Sequence, residues 1–250
     1  MKALVLLTCL AAQGALPAGT GANTTNAPGV RLLPGAGVKN MSQLETAISR
    51  SWRMAWKDSF TVRRQDQPGK WVKVRSCKEF EKLDVKKAKT RPDDAWDFLV
   101  ARAGWCRVLV TIQRASPAKQ TFLESVLSSK NPATAIPGSV LDVVNAGKST
   151  EKDPEVAARE QAHASISWAQ LDPKLKPADT QPKDRLEFES KDYVAAVTYY
   201  AAGDFNGDGI EDVLLQVSLR PFDASQGAAA FFILTRNKPQ GLLTVVRTFR

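Results

Sequence analysis

Residues 199–219 read "YYAAGDFNGDGIEDVLLQVSL", in which two apolar runs flank a short acidic segment rich in glycine. In the second run Val213, Leu215, Val217 and Leu219 alternate with other residues, which is the period-2 pattern of a β-strand. Asn-Gly and Asp-Gly pairs between the runs are favoured in tight turns. This stretch therefore predicts a β-hairpin with an acidic connecting loop.

Oxygen-bearing side chains recur along this loop. Asp204, Asn206 and Asp208 occupy every second position, and Asp212 follows where the second strand begins. Calcium takes about six to eight oxygen ligands from carboxylates, amides and backbone carbonyls. The spacing predicts a calcium site that also uses the carbonyl of Ile210. A plain hairpin turn is the alternative, and it explains the glycines but not three mutually repelling aspartates.

The expected metal is structural. Magnesium fits less well, because it prefers a small octahedral shell that keeps several waters. All the predicted ligands come from one contiguous loop, whereas a catalytic metal needs an open position and a substrate cleft. An EF-hand is excluded, because the position that requires glutamate is Leu215, inside a predicted strand.

The segment "GDFNGDGIEDVLL" resembles the calcium loops of FG-GAP and VCBS-type repeats, in which Asp-x-Asn/Asp-x-Asp-Gly-x-x-Asp joins two strands. The resemblance covers residues 194–219. The region 185–250 is too short for the blades of a propeller. More broadly, the C-terminal half is similar to exported bacterial proteins with one such loop, including periplasmic inhibitors of peptidoglycan-cleaving toxins. The resemblance implies these site residues: ligands Asp204, Asn206, Asp208, Ile210 and Asp212, with Gly207 and Gly209 as turn glycines.

The first 22 residues predict a signal peptide. Lys2 precedes a short apolar run and the small-residue triplet Ala12-Gln13-Gly14, and cleavage is expected after Gly14 or after Ala22. Cys9 raises the alternative of a lipid anchor, but no small residue stands directly before it. No apolar run reaches the roughly 20 residues of a spanning helix. The sequence predicts an exported protein, periplasmic or secreted, without a transmembrane segment.

Two cysteines remain after the predicted signal peptide, Cys77 and Cys106. An even pair in an oxidising compartment favours a disulfide. Two separate buried thiols are the alternative.

The chain has a formal net charge of +9, and the excess is concentrated at residues 70–91, which carry nine Lys or Arg against three acidic residues. Such a surface attracts an anionic envelope polymer or an acidic protein partner, and export makes nucleic acid the least favoured partner. An ordinary solvated basic surface is the alternative.

The chain divides by composition. Residues 23–40 are expected to be a flexible linker, 41–171 a mainly helical domain, 172–184 a Pro-rich connector and 185–250 an antiparallel β region. Within the helical part, Trp56–Arg64 and Trp71–Arg75 predict a short hairpin. The predicted fold class is α+β, with a C-terminal meander that carries the calcium-binding hairpin loop.

Catalytic motifs are absent from the sequence. It has no Gly-x-Ser-x-Gly nucleophile motif, zinc-ligand spacing or phosphate-binding loop, and its single histidine, His163, has no adjacent nucleophile motif. We therefore expect no catalytic residues and a non-enzymatic binding protein stabilised by structural calcium. The alternatives are an inhibitor or immunity protein against a cell-wall hydrolase, a secreted envelope-acting hydrolase and a glycan-binding module.

Overall fold

The computed structural model describes residues 29–53, 60–64, 70–83, 88–91, 95–145, 154–224 and 227–249. The predicted signal peptide, with both expected cleavage positions and Cys9, lies outside these residues. Within the described ranges, no helix combines the length and the apolar character needed to cross a membrane.

Seven α-helices and ten β-strands make up the described parts of the chain, so the predicted α+β class is confirmed. The helices are α1 (Met41–Arg53), α2 (Cys77–Glu81), α3 (Ala95–Arg114), α4 (Glu124–Leu127), α5 (Ser139–Asn145), α6 (Pro154–His163) and α7 (Trp168–Leu171). The strands are β1 (Arg31–Leu32), β2 (Phe60–Arg64), β3 (Trp71–Val74), β4 (Ala88–Arg91), β5 (Lys176–Pro177), β6 (Leu186–Glu189), β7 (Tyr193–Gly203), β8 (Asp212–Pro221), β9 (Ala228–Thr235) and β10 (Thr244–Phe249). Short 3-10 helices span Pro34–Ala36 and Pro132–Thr134.

Seven antiparallel strands form the larger sheet. Strands β10, β9, β8, β7, β6 and β5 lie side by side in that order, which confirms the predicted C-terminal meander. The longest pairing joins β7 and β8 and ends at the Gly203–Asp212 pair, directly beside the acidic loop. Because β7 is long, β6 pairs with its first half while β1 pairs with its second half, where Leu32 lies opposite Ala201.

The two faces of β8 pack against different helices. Val213, Leu215, Val217 and Leu219 lie in a core cluster with residues of α5 and α7. Leu214 points to the other face and lies in a second cluster with residues of α1 and α3. The alternation that the sequence predicts is therefore confirmed, and helices cover both faces of the sheet.

A smaller sheet has the order β3-β2-β4. The predicted hairpin is confirmed at β2 and β3, whereas its first residues, 56–59, lie outside the described part of the chain. The third strand, β4, has no counterpart in the sequence analysis. One face of this sheet packs on α3, where Phe60 and Val62 share a third core cluster with Leu99 and Ala103.

The predicted disulfide is confirmed. Cys77 begins α2 and Cys106 lies in α3, and the two residues are at disulfide distance with their Cα atoms 5.6 Å apart. Both side chains are buried. Because α2 follows β3 directly, this bond fastens the end of the small sheet to the longest helix.

The structure departs from the predicted linkers where it describes them. In the 23–40 segment, residues 31–32 form β1, and Gly35 approaches β7 so closely that a Cβ would stand 2.6 Å from the carbonyl oxygen of Tyr199. In the 172–184 segment, Leu175 is buried and the next two residues form β5. The 41–171 and 185–250 regions also share two core clusters, so they are not separately packed domains.

Candidate metal centre

The acidic loop, residues 204–212, connects β7 to the first residue of β8. Gly207 and Gly209 have φ of 85° and 83°, in the left-handed region that glycine adopts without strain. At Gly207 a Cβ would meet nothing within 4 Å, so backbone conformation and not space requires glycine there. These two residues curl the backbone around the carboxylate of Asp204.

Asp204 is the centre of that curl. Its Oδ1 accepts the N–H groups of Asn206 at 3.2 Å and Gly207 at 2.6 Å, and its Oδ2 accepts the N–H of Gly209 at 2.9 Å. The residue is buried. Three backbone donors thus hold a negative charge at the start of the loop, where the sequence predicts the first ligand.

Asn206 and Asp208 repeat the same local motif. Asn206 Oδ1 accepts the N–H of Asp208 at 2.9 Å, and Asp208 Oδ1 accepts the N–H of Ile210 at 2.7 Å. The side-chain amide of Asn206 also donates to Asp208 Oδ2 at 2.9 Å. Both residues are exposed, so the outer part of the loop is a solvent-facing chain of side-chain-to-backbone turns.

Asp212 differs from Asp204 and Asp208, the other two predicted carboxylate ligands, because it is completely buried. Its Oδ2 accepts the N–H of Phe205 at 3.1 Å. Its Oδ1 is buried and has no hydrogen-bond partner among the described residues. A buried polar atom without a partner is costly, and it is rare in native proteins.

Electrostatics single out the same carboxylate. Burial raises the pKa of Asp212 to about 6, and the negative charges of Asp208 and Asp204 also raise it. Hydrogen bonds from the Thr235 side chain and from the N–H of Phe205 act in the opposite direction and lower this pKa. The negative charges of Asp204 and Asp208 are therefore close enough to oppose the ionisation of Asp212. A positive charge among them would relieve both this repulsion and the unpartnered oxygen.

The carboxylates are not assembled around a common point. Among the described residues, no group of three or more His, Cys, Asp or Glu side chains is arranged to hold a metal ion. The side-chain oxygens of Asn206 and Asp208 instead accept hydrogen bonds from backbone N–H groups within the loop. Side-chain rearrangement at these exposed positions would have to accompany metal binding. The predicted set of Asp204, Asn206, Asp208, Ile210 and Asp212 remains a prediction.

The loop is attached to the segment that follows α3. Ser116 and Asp204 exchange two backbone hydrogen bonds of 2.9 Å, and the N–H groups of Lys119 and Gln120 both donate to the carbonyl of Gly209. The N–H of Glu211 in turn donates to the carbonyl of Gln120. Backbone hydrogen bonds therefore join the acidic loop directly to residues 116–120.

Glu211 is a buried residue of the loop that the sequence analysis missed. Both of its carboxylate oxygens accept hydrogen bonds from the guanidinium of Arg31, and Thr121 donates a third. Burial lowers the pKa of Arg31, but the hydrogen bond and charge of Glu211 outweigh this, and the net shift is upward. The spacing of the loop gives Glu211 no ligand role, and its partner lies 180 residues away in the sequence.

His163 pairs with an acidic residue. Its Nδ1 lies 2.7 Å from Asp142 Oδ2, so the pair joins the end of α6 to α5. The Ser165 hydroxyl donates a hydrogen bond to the carbonyl of Ala162. The contact with Asp142 therefore gives His163 a structural role, in which it joins α6 to α5.

No protein-family model matches this chain. Neither a curated protein nor a solved structure matches it. The likeness of the acidic loop to FG-GAP and VCBS-type repeats therefore rests on its own residues.

Proposed function

We propose that this chain is an exported, non-enzymatic binding protein whose acidic loop holds a structural calcium ion. The observation that carries the proposal is the state of Asp212 Oδ1: it is buried, has no hydrogen-bond partner in the described part of the chain and lies near two further carboxylates. Calcium prefers carboxylate, amide and carbonyl oxygens, and this loop supplies all three types. Asp204, Asn206, Asp208, Ile210 and Asp212 would hold the ion.

The outer ligands can change partners at low cost. The Asp208 Oδ2 atom is engaged by the Asn206 amide, and both residues are exposed, so water can replace that hydrogen bond. The inner ligands are already fixed, because backbone N–H groups orient Asp204 and Asp212. Binding then requires movement only on the solvent side of the loop.

The position of the loop supports a structural role for the ion. The loop ties β7 and β8 to residues 116–120 through backbone hydrogen bonds and to β1 through Glu211 and Arg31. An ion that bridges the start and the end of the loop would stiffen this junction between the sheet and the segment after α3. The binding surface of the protein would then be presented on a rigid frame.

The disulfide supports export. Disulfides persist in oxidising compartments and are rare in reducing ones. The buried Cys77–Cys106 pair and the predicted signal peptide therefore point to the same compartment.

The test is calcium-dependent thermal stability of the purified protein after chelation. A ligand that binds only the folded state stabilises it by about 2.7 kcal/mol at a hundredfold excess over Kd. The informative variant is Asp212→Asn, which keeps an oxygen acceptor for Phe205 and removes the buried negative charge. We expect this variant to melt at or above the temperature of the calcium-free parent and to show no rise with calcium. Asp223→Asn, in the exposed turn after β8, is the matched control and should retain the full rise.

Two results contradict the proposal. The first is a parent protein whose melting temperature does not respond to calcium. The second is an Asp212→Asn variant that responds as strongly as the parent, which would place any bound calcium elsewhere.

A further inference from the structure

The small sheet has a strongly charged composition. The strands β2, β3 and β4 read FTVRR, WVKV and AKTR, with five Lys or Arg and no acidic residue. On one face of the sheet, Phe60, Val62 and Val74 are buried and share a core cluster with residues of α3. Arg64, at the end of β2, belongs to this face by alternation, and the other four Lys or Arg residues belong to the opposite face. The cationic positions of the opposite face therefore lie on the side away from the helix.

The strand register places these positions together. On the central strand, Arg63 pairs with Trp71 of β3 and with Lys89 of β4. Residues that are directly opposite each other in neighbouring strands share a face of the sheet. The guanidinium-bearing residue of this row, Arg63, is exposed, and Trp71 is half-buried.

A second row lies two residues along the strands. Thr61 pairs with Lys73 of β3 and with Arg91 of β4, and Lys73 is exposed. Adjacent strands are about 4.8 Å apart, and alternate residues of a strand are about 6.7 Å apart. We call these two rows the basic sheet face: Thr61, Arg63, Trp71, Lys73, Lys89 and Arg91. The register thus places four Lys or Arg positions on one face, where Arg63 lies opposite Trp71 and Lys73 lies two residues along the same strand as Trp71.

We propose that the basic sheet face binds an anionic polysaccharide. Arg63 and Lys73 are exposed on this face, and a polymer with repeated negative charges can bind several cationic positions at once. The indole ring of Trp71, on the edge strand beside Arg63, adds an apolar surface on which a sugar ring can stack. A chain that alternates sugar rings with acidic groups satisfies both features.

The disulfide favours a polysaccharide over a nucleic acid. Cys77 stands three residues after the last residue of β3 and is bonded to Cys106, so the bond lies next to the basic sheet face. Disulfides persist outside the reducing cytosol. Acidic polysaccharides of the cell envelope are the polyanions that such a compartment presents at high density.

This surface is separate from the acidic loop. The small sheet packs on the first half of α3, through Leu99 and Ala103, whereas the loop contacts residues 116–120 beyond the end of that helix. Polymer binding therefore does not rest on calcium binding, and each can fail while the other holds.

The experiment measures binding of the full chain to polygalacturonate, with neutral dextran as the uncharged comparison. Arg63→Gln combined with Lys73→Gln removes two exposed charges of the basic sheet face. Lys183→Gln combined with Lys191→Gln removes two exposed charges near β6 and gives the same net charge. Thermal melts of both variants establish that each is folded. Titrations are run in chelator over a series of salt concentrations.

We expect the parent to bind polygalacturonate and not dextran, with an affinity that falls as salt rises. The basic-face variant should bind about tenfold more weakly at low salt and lower the salt slope by about 1 to 2, whereas the control pair should change affinity less than about twofold. Equal losses in both variants would overturn the proposal, because net charge alone would then explain binding. So would an absence of polygalacturonate binding, or tighter binding to single-stranded DNA that depends on the same two residues.

Discussion

The guanidinium of Arg31 binds both carboxylate oxygens of Glu211, at 2.9 Å and 2.7 Å, across 180 residues of sequence. Glu211 is completely buried, and the Arg31 side chain is 34% exposed. The pair joins β1 to the end of the acidic loop, and Thr121 donates a further hydrogen bond to the same carboxylate. The buried carboxylate of Glu211 therefore binds both β1, through Arg31, and the segment after α3, through Thr121.

Replacing Arg31 with leucine should be strongly destabilising. The change leaves Glu211 buried without its cation, and removing one partner of a buried ion pair costs about 3 kcal/mol. Denaturant unfolding, followed by tryptophan fluorescence, measures the difference from the parent. The matched control is Glu124→Gln, because Glu124 is the second, 68% exposed partner of Arg31 and should cost less than about 1 kcal/mol. Equal losses for the two variants would contradict the assigned role of the buried pair.

Local sequence patterns predicted the elements whose partners are close in sequence. The alternation in β8, the pairing of β2 with β3 and the chain of meander strands each follow from period-2 patterns and short connections. The disulfide followed from cysteine count and compartment.

Other features depend on distant partners and leave no local pattern. The two residues of β1 are ordered by pairing with β7, about 170 positions later, and β4 completes its sheet from a short, highly charged stretch. In the acidic loop, the spacing predicted which residues carry oxygens but not how they are oriented. Backbone N–H groups donate hydrogen bonds to the side-chain oxygens of Asn206 and Asp208 and so compete with a metal ion for these oxygens. Only the folded loop shows this competition.

Two tyrosines should respond differently to loss of their hydroxyl groups. The Tyr199 hydroxyl is buried and has no partner among the described residues. The Tyr193 hydroxyl donates to Asp172 at 2.7 Å and accepts from the buried indole of Trp168 at 3.2 Å. Tyr199→Phe should therefore leave stability unchanged or raise it by about 1 kcal/mol, whereas Tyr193→Phe should cost about 1–3 kcal/mol. Chemical denaturation of the two variants beside the parent gives the comparison, and a loss of equal size in both would count against it.

The carboxylate of Asp172 should make the fold sensitive to acid. Burial raises the pKa of Asp172. Hydrogen bonds from Ser190, Tyr193 and the N–H of Lys174 lower this pKa by more than burial raises it, so the net shift is downward. A carboxyl group with a lowered pKa in the folded state contributes stability above its unfolded-state pKa. That contribution is lost as the pH falls through the folded-state value.

We therefore expect the difference in melting temperature between the parent and Asp172→Asn to be largest near neutral pH. The difference should shrink steadily below about pH 4, because protonation then removes from the parent the negative charge that the substitution has already removed from the variant. Melting curves between about pH 2 and pH 7 measure this, with Asp179→Asn, an exposed position in the same connecting segment, as the control. The control should follow the parent at every pH. A gap between the parent and Asp172→Asn that stays constant on acidification would show that the carboxylate stabilises the fold by packing and not by its charge.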